Sequence, residues 1–369
     1  MVIGIDASRA NRPQKTGVEW YSYHLIQEFK KIPLPQGDKF ILYAPEKLKG
    51  DLGIMPAGWK AQILSWPLKY FWTQKRLSWE MLINPPDILF VPAHCLPVFC
   101  RAKKIMTIHD LGFKRFPKAY TFGQRIYYSM VHSFAAKYAD KIITPSEFTK
   151  AEIINLYKTD PNKIVVIPLG YNKYYNLVED KNKIEEILTK YQIKKPYLFF
   201  VGRLEKKKNI KGLVDAYQQL LKQNYSLQLV LAGSPGFGYQ EVKSQIKSLR
   251  EKIRQINYVE PKDLVYLYAS AEAFIFPSFY EGFGIPLLEA MACGCPIVAS
   301  NQGSLPEVAQ DAALYFDPRN SLQMVEAIKR IINEQDLRKE LIEKGLARVK
   351  EFSWQKCAEK TFKTFKNII

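Results

Sequence analysis

Two glutamates, Glu281 and Glu289, stand eight residues apart in PSFYEGFGIPLLEAMACGCPIVAS, Pro277 to Ser300. Glu281 precedes Gly282-Phe283-Gly284, where two glycines let backbone amides approach a ligand closely. Pro286 suits the first turn of a helix, which Leu287, Leu288, Ala290 and Met291 continue and Gly294 with Pro296 stop. Apolar Ala273 to Phe276 just before reads as a buried strand. Strand, glycine loop and helix together point amide donors and a helix dipole at one spot, which favours an anion such as a diphosphate. Glu289 falls in the first turns of that otherwise apolar helix, where an unpaired carboxylate is costly. Accepting hydrogen bonds from two vicinal hydroxyls, as on a ribose, would remove the cost.

Cations for a diphosphate stand just past another strand, YLFFV, in VGRLEKKKNI. Arg203 offers a planar fork and Lys208 a point charge, with Lys207 the reserve. A lysine run alone is a solvated face, but its place at a strand's carboxyl end favours a functional reading. His109-Asp110 follows the strand IMTI, one of only four histidines in the chain; its bland reading is a structural hydrogen-bonder. Gly17, in Thr16-Gly17-Val18 before VEWYSYHLIQEF, could let the backbone approach a phosphate or an acceptor, or simply form a turn. Neither a GxxxxGK[ST] loop nor a GxGxxG fingerprint occurs, against P-loop and ordinary dinucleotide chemistry. No Asp-x-Asp pair offers a metal bridge to a diphosphate, so no metal is expected, and cations and helix dipoles would carry the leaving-group charge.

The elements that must position these residues recur as short apolar runs with helical stretches between them. Val2 to Ile5, Phe40 to Tyr43, Ile88 to Val91, Ile105 to Ile108, Ile142 to Thr144 and Val165 to Ile167 form one series. Tyr197 to Val201, Leu227 to Ala232, Ile256 to Val259, Ala273 to Phe276, Ile297 to Ser300 and Ala313 to Phe316 form the second. Such alternation predicts two α/β, Rossmann-like, doubly wound domains, residues 1–175 and 176–350, with ligands at the carboxyl ends of strands. In the tail, residues 351–369, Trp354, Ala358, Phe362, Phe365 and Ile369 share a helical face. That face packs on its own domain or crosses back to brace the first.

The 369 residues are 47% apolar and 24% charged, the composition of a globular protein with two sizeable cores. Five cysteines, Cys95, Cys100, Cys293, Cys295 and Cys357, have no metal-ligand spacing and read as free thiols. MVIGIDAS enters a strand pattern at once and no run reaches membrane-spanning length, so the chain is expected in the cytoplasm. The net charge is +18, and residues 1 to 175 carry 25 Lys and Arg against 13 Asp and Glu. A basic surface suits nucleic acid, anionic lipid or a phosphorylated substrate; without a nucleic-acid motif, no nucleic-acid partner is expected. Residues 59 to 79, WKAQILSWPLKYFWTQKRLSW, mix tryptophans with cations and suit either a lipid interface or the core, and FKRFPKAYTFGQRIYY adds more of both to the N-terminal half.

The pattern PSFYEGFGIPLLEA, with GCPIVASNQGSLPEVAQDAALYFDP after it, VGRLEKKKNI ahead and the histidine of TIHDLGF, resembles the retaining glycosyltransferases of family 4. That resemblance covers most of the chain, is strongest from 197 to 320, and is closest to bacterial mannosyl- and rhamnosyltransferases of surface polysaccharide synthesis. It implies the GT-B architecture, two Rossmann-like domains facing across a cleft, and metal-independent transfer of a hexose, mannose favoured, from a nucleotide sugar such as GDP-mannose to a glycan or lipid-linked glycan. By the same resemblance Arg203 and Lys208 bind the donor diphosphate and Glu289 the ribose. Glu281 and His109 contact the donor sugar, the amides of Gly282, Phe283 and Gly284 lie near sugar and phosphate, and Gly17 lies by the diphosphate or acceptor. The N-terminal domain would be the acceptor side and make any peripheral contact with an anionic membrane at its inner face. A sugar-nucleotide epimerase on the same fold and a non-catalytic membrane- or nucleic-acid-binding protein are the alternatives.

Overall fold

The computed structural model describes residues 1–13, 15–68, 70–93 and 95–368. Two compact units divide the chain: Met1–Lys114, Thr121–Gly170 and Ser353–Ile369 form the first, Arg115–Tyr120 and Tyr171–Phe352 the second. The main division thus falls at Gly170–Tyr171, close to the expected residue 175.

In the first unit, seven parallel strands, β1 (Val2–Asp6), β2 (Lys39–Ala44), β3 (Trp59–Ile63), β4 (Ile88–Val91), β5 (Lys103–Thr107), β6 (Lys141–Thr144) and β7 (Ile164–Val166), run in the order β3-β2-β1-β4-β5-β6-β7. The chain moves outward from β1 to β3, then returns to place β4 beside β1. That reversal opens a crevice at the carboxyl ends of β1 and β4.

The second unit repeats the plan with six parallel strands: β8 (Tyr197–Val201), β9 (Gln228–Ala232), β10 (Ile253–Ile256), β11 (Ala273–Phe276), β12 (Ile297–Ser300) and β13 (Ala313–Phe316). Their order is β10-β9-β8-β11-β12-β13. Here the reversal lies between β8 and β11, so the loops that follow these two strands flank the crevice. Both strands are nearly continuous apolar runs because helices cover both faces of a parallel sheet. Phe199, Phe274 and Tyr268 pack there as a buried ring cluster with centroids 5.2–6.2 Å apart.

The two expected doubly wound domains are present, and the strands misread from sequence lie at sheet edges. β3 was not anticipated: in WKAQI only Trp59 is buried, so an edge strand carries no apolar run. β10 lies at Ile253–Ile256 rather than 256 to 259, because its central Arg254 and Gln255 are only half-buried and mask the strand. The aromatic stretch from 59 to 79 divides between its two readings. Trp59 and Trp72 are each 8% exposed, whereas Phe71 and Trp79 are 66% and 61% exposed; Lys69 lies outside the described residues. The short segment Arg115–Tyr120 groups with the second unit rather than the first.

The helix Trp354–Lys366 packs in the first unit. Ser353 caps it, its Oγ accepting from the Lys356 amide at 3.0 Å. Its apolar face seats Phe365 between Phe29 and Phe90, centroids 5.7 and 5.2 Å away, and Phe362 near Phe40. Ile369, expected on the same face, lies outside the described residues. Among the described residues no helix is long and apolar enough to cross a membrane.

Candidate active site

The second unit builds its site on the two loops at the β8/β11 crevice. After β8 the chain passes Gly202 and Arg203, and Lys206–Lys208 form one tight turn ended by Asn209 in the left-handed conformation. Asn209 caps the next helix, Ile210–Lys222, by accepting from the Gly212 amide at 3.2 Å, and its Nδ2 donates to the Pro318 carbonyl at 2.8 Å. The lysine turn is tied to the loop after β11 by a backbone bond from the Phe279 amide to the Lys207 carbonyl, 2.9 Å.

Across that tie Lys208 forms an ion pair with Glu281. The Lys208 side chain is 15% exposed, that of Glu281 10%, and the ammonium also lies 5.1 Å from the centre of the Phe276 ring. The three lysines therefore differ: Lys208 turns inward, Lys206 pairs with Glu241 in solvent, and the Lys207 backbone anchors the loop. Arg203 is exposed and has no ion-pair partner among the described residues.

Glu281 is fixed through its backbone as well. Its carbonyl accepts from the amide and the hydroxyl of Ser304, at 3.2 and 3.1 Å. Gly303, at φ +69°, lies so close that a Cβ there would sit 2.8 Å from the Glu281 carbonyl oxygen. Gly284, at φ +94°, turns the chain into the helix Ile285–Ala292, and a Cβ on it would be 2.9 Å from Leu305. Phe283 is buried and packs edge-on to Phe352 at 5.9 Å, so its side chain anchors the loop. The amides of Phe283 and Gly284 donate to no acceptor among the described residues, although both residues are buried. Buried amide donors are almost always paired, and an unpaired couple at a helix start suits an anion.

Glu289, one turn further along the Ile285–Ala292 helix, has neighbours of its own. Its Oε2 accepts from the Tyr268 hydroxyl at 3.0 Å, and the Tyr175 ring lies 6.0 Å from that of Tyr268. The carboxylate is therefore not the unpaired group that its place in an apolar helix suggested. Burial pushes its pKa up to about 7, and the two phenols moderate the rise. Sequence reasoning missed both tyrosines. Tyr175 fell in a stretch read as loosened connection, and Tyr268, in LVYLYAS, read as ordinary helix; both lie far from Glu289 in sequence, and no local pattern brings them together.

His109 and Gly17 belong to the first unit. His109 follows β5, with Nε2 3.0 Å from the Pro92 carbonyl and the ring edge-on to Tyr21 at 4.6 Å. Burial holds its pKa below the ordinary value, and a carbonyl only accepts, so the neutral ring carries its proton on Nε2 and leaves Nδ1 as an acceptor. Asp110 begins the next turn, accepting from the Gly112 amide at 2.9 Å. Gly17 opens the helix Gly17–Phe29 behind Thr16, whose amide donates to Glu19 at 3.1 Å, and a Cβ on Gly17 would meet nothing within 4 Å. Packing does not require glycine there. At the β1/β4 crevice sequence reasoning also missed buried Asp6, whose Oδ1 accepts from the Ser8 amide at 2.9 Å, and Arg9, 3.9 Å from Glu19.

Residues 15–173 match the family described as Glycosyltransferase Family 4, and residues 181–348 match Glycosyl transferases group 1. The O-antigen chain mannosyltransferase B of Escherichia coli is 32% identical over 368 residues, 95% of this chain and 96% of the relative. The chain is a family 4 glycosyltransferase. The O-antigen chain mannosyltransferase RfbU of Salmonella typhimurium is 26% identical over 269 residues, 73% of this glycosyltransferase and 70% of the relative. Sucrose-phosphate synthase from Thermosynechococcus elongatus shares the fold, with a TM-score of 0.78 and 19% identity over 100% of this chain and 99% of that one. Anabaena HepE in complex with UDP and glucose does so with a TM-score of 0.75 and 17% identity, covering 99% of each. Family 4 glycosyltransferases and these neighbours give the two-Rossmann GT-B fold its expected place.

Proposed function

We propose that this glycosyltransferase moves a hexose, mannose favoured, from a nucleotide sugar to a glycan or lipid-linked glycan acceptor, with retention of the anomeric configuration and without a metal ion. The observation that carries this reading is the buried, unpaired amide couple of Phe283 and Gly284 beside the Lys208–Glu281 pair. Amide donors at a helix start with a largely buried lysine and a free arginine are suited to the two phosphates of a diphosphate. The similarity to O-antigen mannosyltransferases favours mannose, GDP-mannose as donor and a surface polysaccharide as product.

In this reading the bond from the anomeric carbon to the diphosphate breaks, and its electron pair leaves with the phosphate. Arg203, Lys208 and the loop amides stabilise the growing negative charge. The acceptor hydroxyl attacks the same face, and its proton passes to an oxygen of the departing phosphate. Glu281, held by Lys208, positions the donor sugar; His109 contacts that sugar with its neutral ring, Glu289 holds the ribose, and Gly17 leaves backbone room for diphosphate or acceptor.

Peripheral contact with an anionic bilayer belongs to the same reading. Phe71, Lys75, Trp79 and Ile83 follow one another every four residues, all exposed, and the half of the chain that holds them is the more basic. Sedimentation with phosphatidylglycerol vesicles that falls with salt and with Phe71→Ser/Trp79→Ser is the expected result. Unchanged sedimentation in that variant removes the contact.

The test of the main reading is a donor panel of GDP-mannose, UDP-glucose, UDP-GlcNAc and dTDP-rhamnose, with thermal shift for binding and NMR of the product for linkage and anomeric configuration. Transfer from GDP-mannose, with retention and undiminished in excess EDTA, is expected. No shift with any donor overturns it.

A further inference from the structure

Tyr268 is fully buried, its ring held edge-on between Phe199 and Phe274 at 5.2 Å each and near Tyr175 at 6.0 Å. Tyr175 is 4% exposed. Both rings are thus held by packing, and the Tyr268 hydroxyl donates to Glu289 Oε2 at 3.0 Å. An ionised carboxylate has about four acceptor positions. One tyrosine donor fixes the orientation of the carboxylate and leaves positions for both hydroxyls of a vicinal diol.

We propose that Tyr268 is a positioning residue that orients the Glu289 carboxylate to receive the 2′- and 3′-hydroxyls of the donor's ribose, an inference that rests on the ribose role proposed above for Glu289. The contact joins two elements, Tyr268 on the helix Pro261–Ala269 and Glu289 on Ile285–Ala292. A tyrosine that only tied two helices together would serve any ligand equally. One that aims the carboxylate affects only what the carboxylate reads.

The titratable groups facing Glu289 are Tyr268, Tyr175 and Tyr174, with Cys293 at the end of the same helix and Tyr258 beside Tyr174. Burial raises Tyr268, Tyr175, Tyr174 and Cys293, and raises Glu289 into the neutral range. The Tyr268 hydrogen bond favours the ionised carboxylate, which accepts from the diol. Removing it therefore moves the acid limb of nucleotide binding to higher pH.

The experiment is calorimetric titration of the full chain with the tighter-binding of GDP and UDP, and with its 2′-deoxy counterpart, from pH 5.5 to 8.5. For the wild type, the ribonucleotide binds at least 10-fold more tightly than the deoxy form, and this preference fades below about pH 7. Tyr268→Phe is expected to cut the preference at least 3-fold at pH 7 and to raise the acid limb by half a unit or more, with deoxynucleotide affinity held. An equal loss for both nucleotides with an unmoved limb makes Tyr268 a packing residue and overturns the proposal. Should Tyr268→Phe fail to fold, Tyr268→Met, which also removes the hydroxyl, carries the same two readouts. Glu289→Gln separates the two levels: a ribose preference that survives in it sinks the ribose reading itself, whereas loss of preference there with none in Tyr268→Phe sinks only the positioning role.

Discussion

Lys208 and Glu281 form an ion pair from opposite sides of the β8/β11 crevice, each from a different loop and each nearly out of water. A largely buried pair of this kind is easily unbalanced, since removing one partner leaves the other charge desolvated. Lys208→Met is expected to destabilise the chain by about 2 kcal/mol and to weaken nucleoside diphosphate binding at least 10-fold. Glu281→Gln should leave that binding intact while transfer falls at least 100-fold. Urea unfolding and nucleotide titration of both variants, with Lys207→Met as the comparison, check this; equal effects from Lys207 and Lys208 would contradict the inward placement of Lys208.

Glu289 makes stability fall as pH rises. Its carboxyl titrates near 7 in the fold against an ordinary 4.5, so between these values the native state holds a proton that the unfolded chain has released. Stability is fully present below about pH 4.5 and declines through pH 7, by up to about 3 kcal/mol at 1.36 kcal/mol per unit. Urea melts across this range should show the decline, and Glu289→Gln should flatten it.

Replacing Gly17 by alanine separates fold from ligand. A Cβ there meets nothing within 4 Å, and alanine favours a helix by about 1 kcal/mol over glycine. Gly17→Ala should therefore keep or raise the melting temperature while transfer falls about 10-fold. A variant with unaltered kinetics would take Gly17 out of the site.

Phe365 is fully buried between Phe29 and Phe90. Phe365→Ala is expected to cost about 3–5 kcal/mol, measured by urea unfolding of the full chain. A loss under about 1 kcal/mol would mean the helix Trp354–Lys366 is only loosely seated.

The sequence is most readable where one element carries its own signature. β8 and β11 are apolar on both faces and stand out as runs, and the glycine loop with Pro286 marks its helix without tertiary help. Two edge strands do not, because β3 buries one residue of five and β10 has a half-buried polar centre: β3 was missed and β10 was shifted, whereas the edge strand β13 is read at its observed bounds. Lys208 stood out from its neighbours only provisionally, since the choice depends on a turn ended by Asn209 in a left-handed conformation. Tyr268 and Glu289 lie 21 residues apart on different helices, a meeting that no local pattern announces.

The first unit includes Ser353–Ile369, while the second is encoded almost wholly before it. During synthesis the second unit can thus fold as its own last residues emerge, whereas the first must wait, with Phe29, Phe40 and Phe90 uncovered, for Phe362 and Phe365 to arrive. A chain without the helix Trp354–Lys366 would leave those rings uncovered, and limited proteolysis should then cut its first unit before its second.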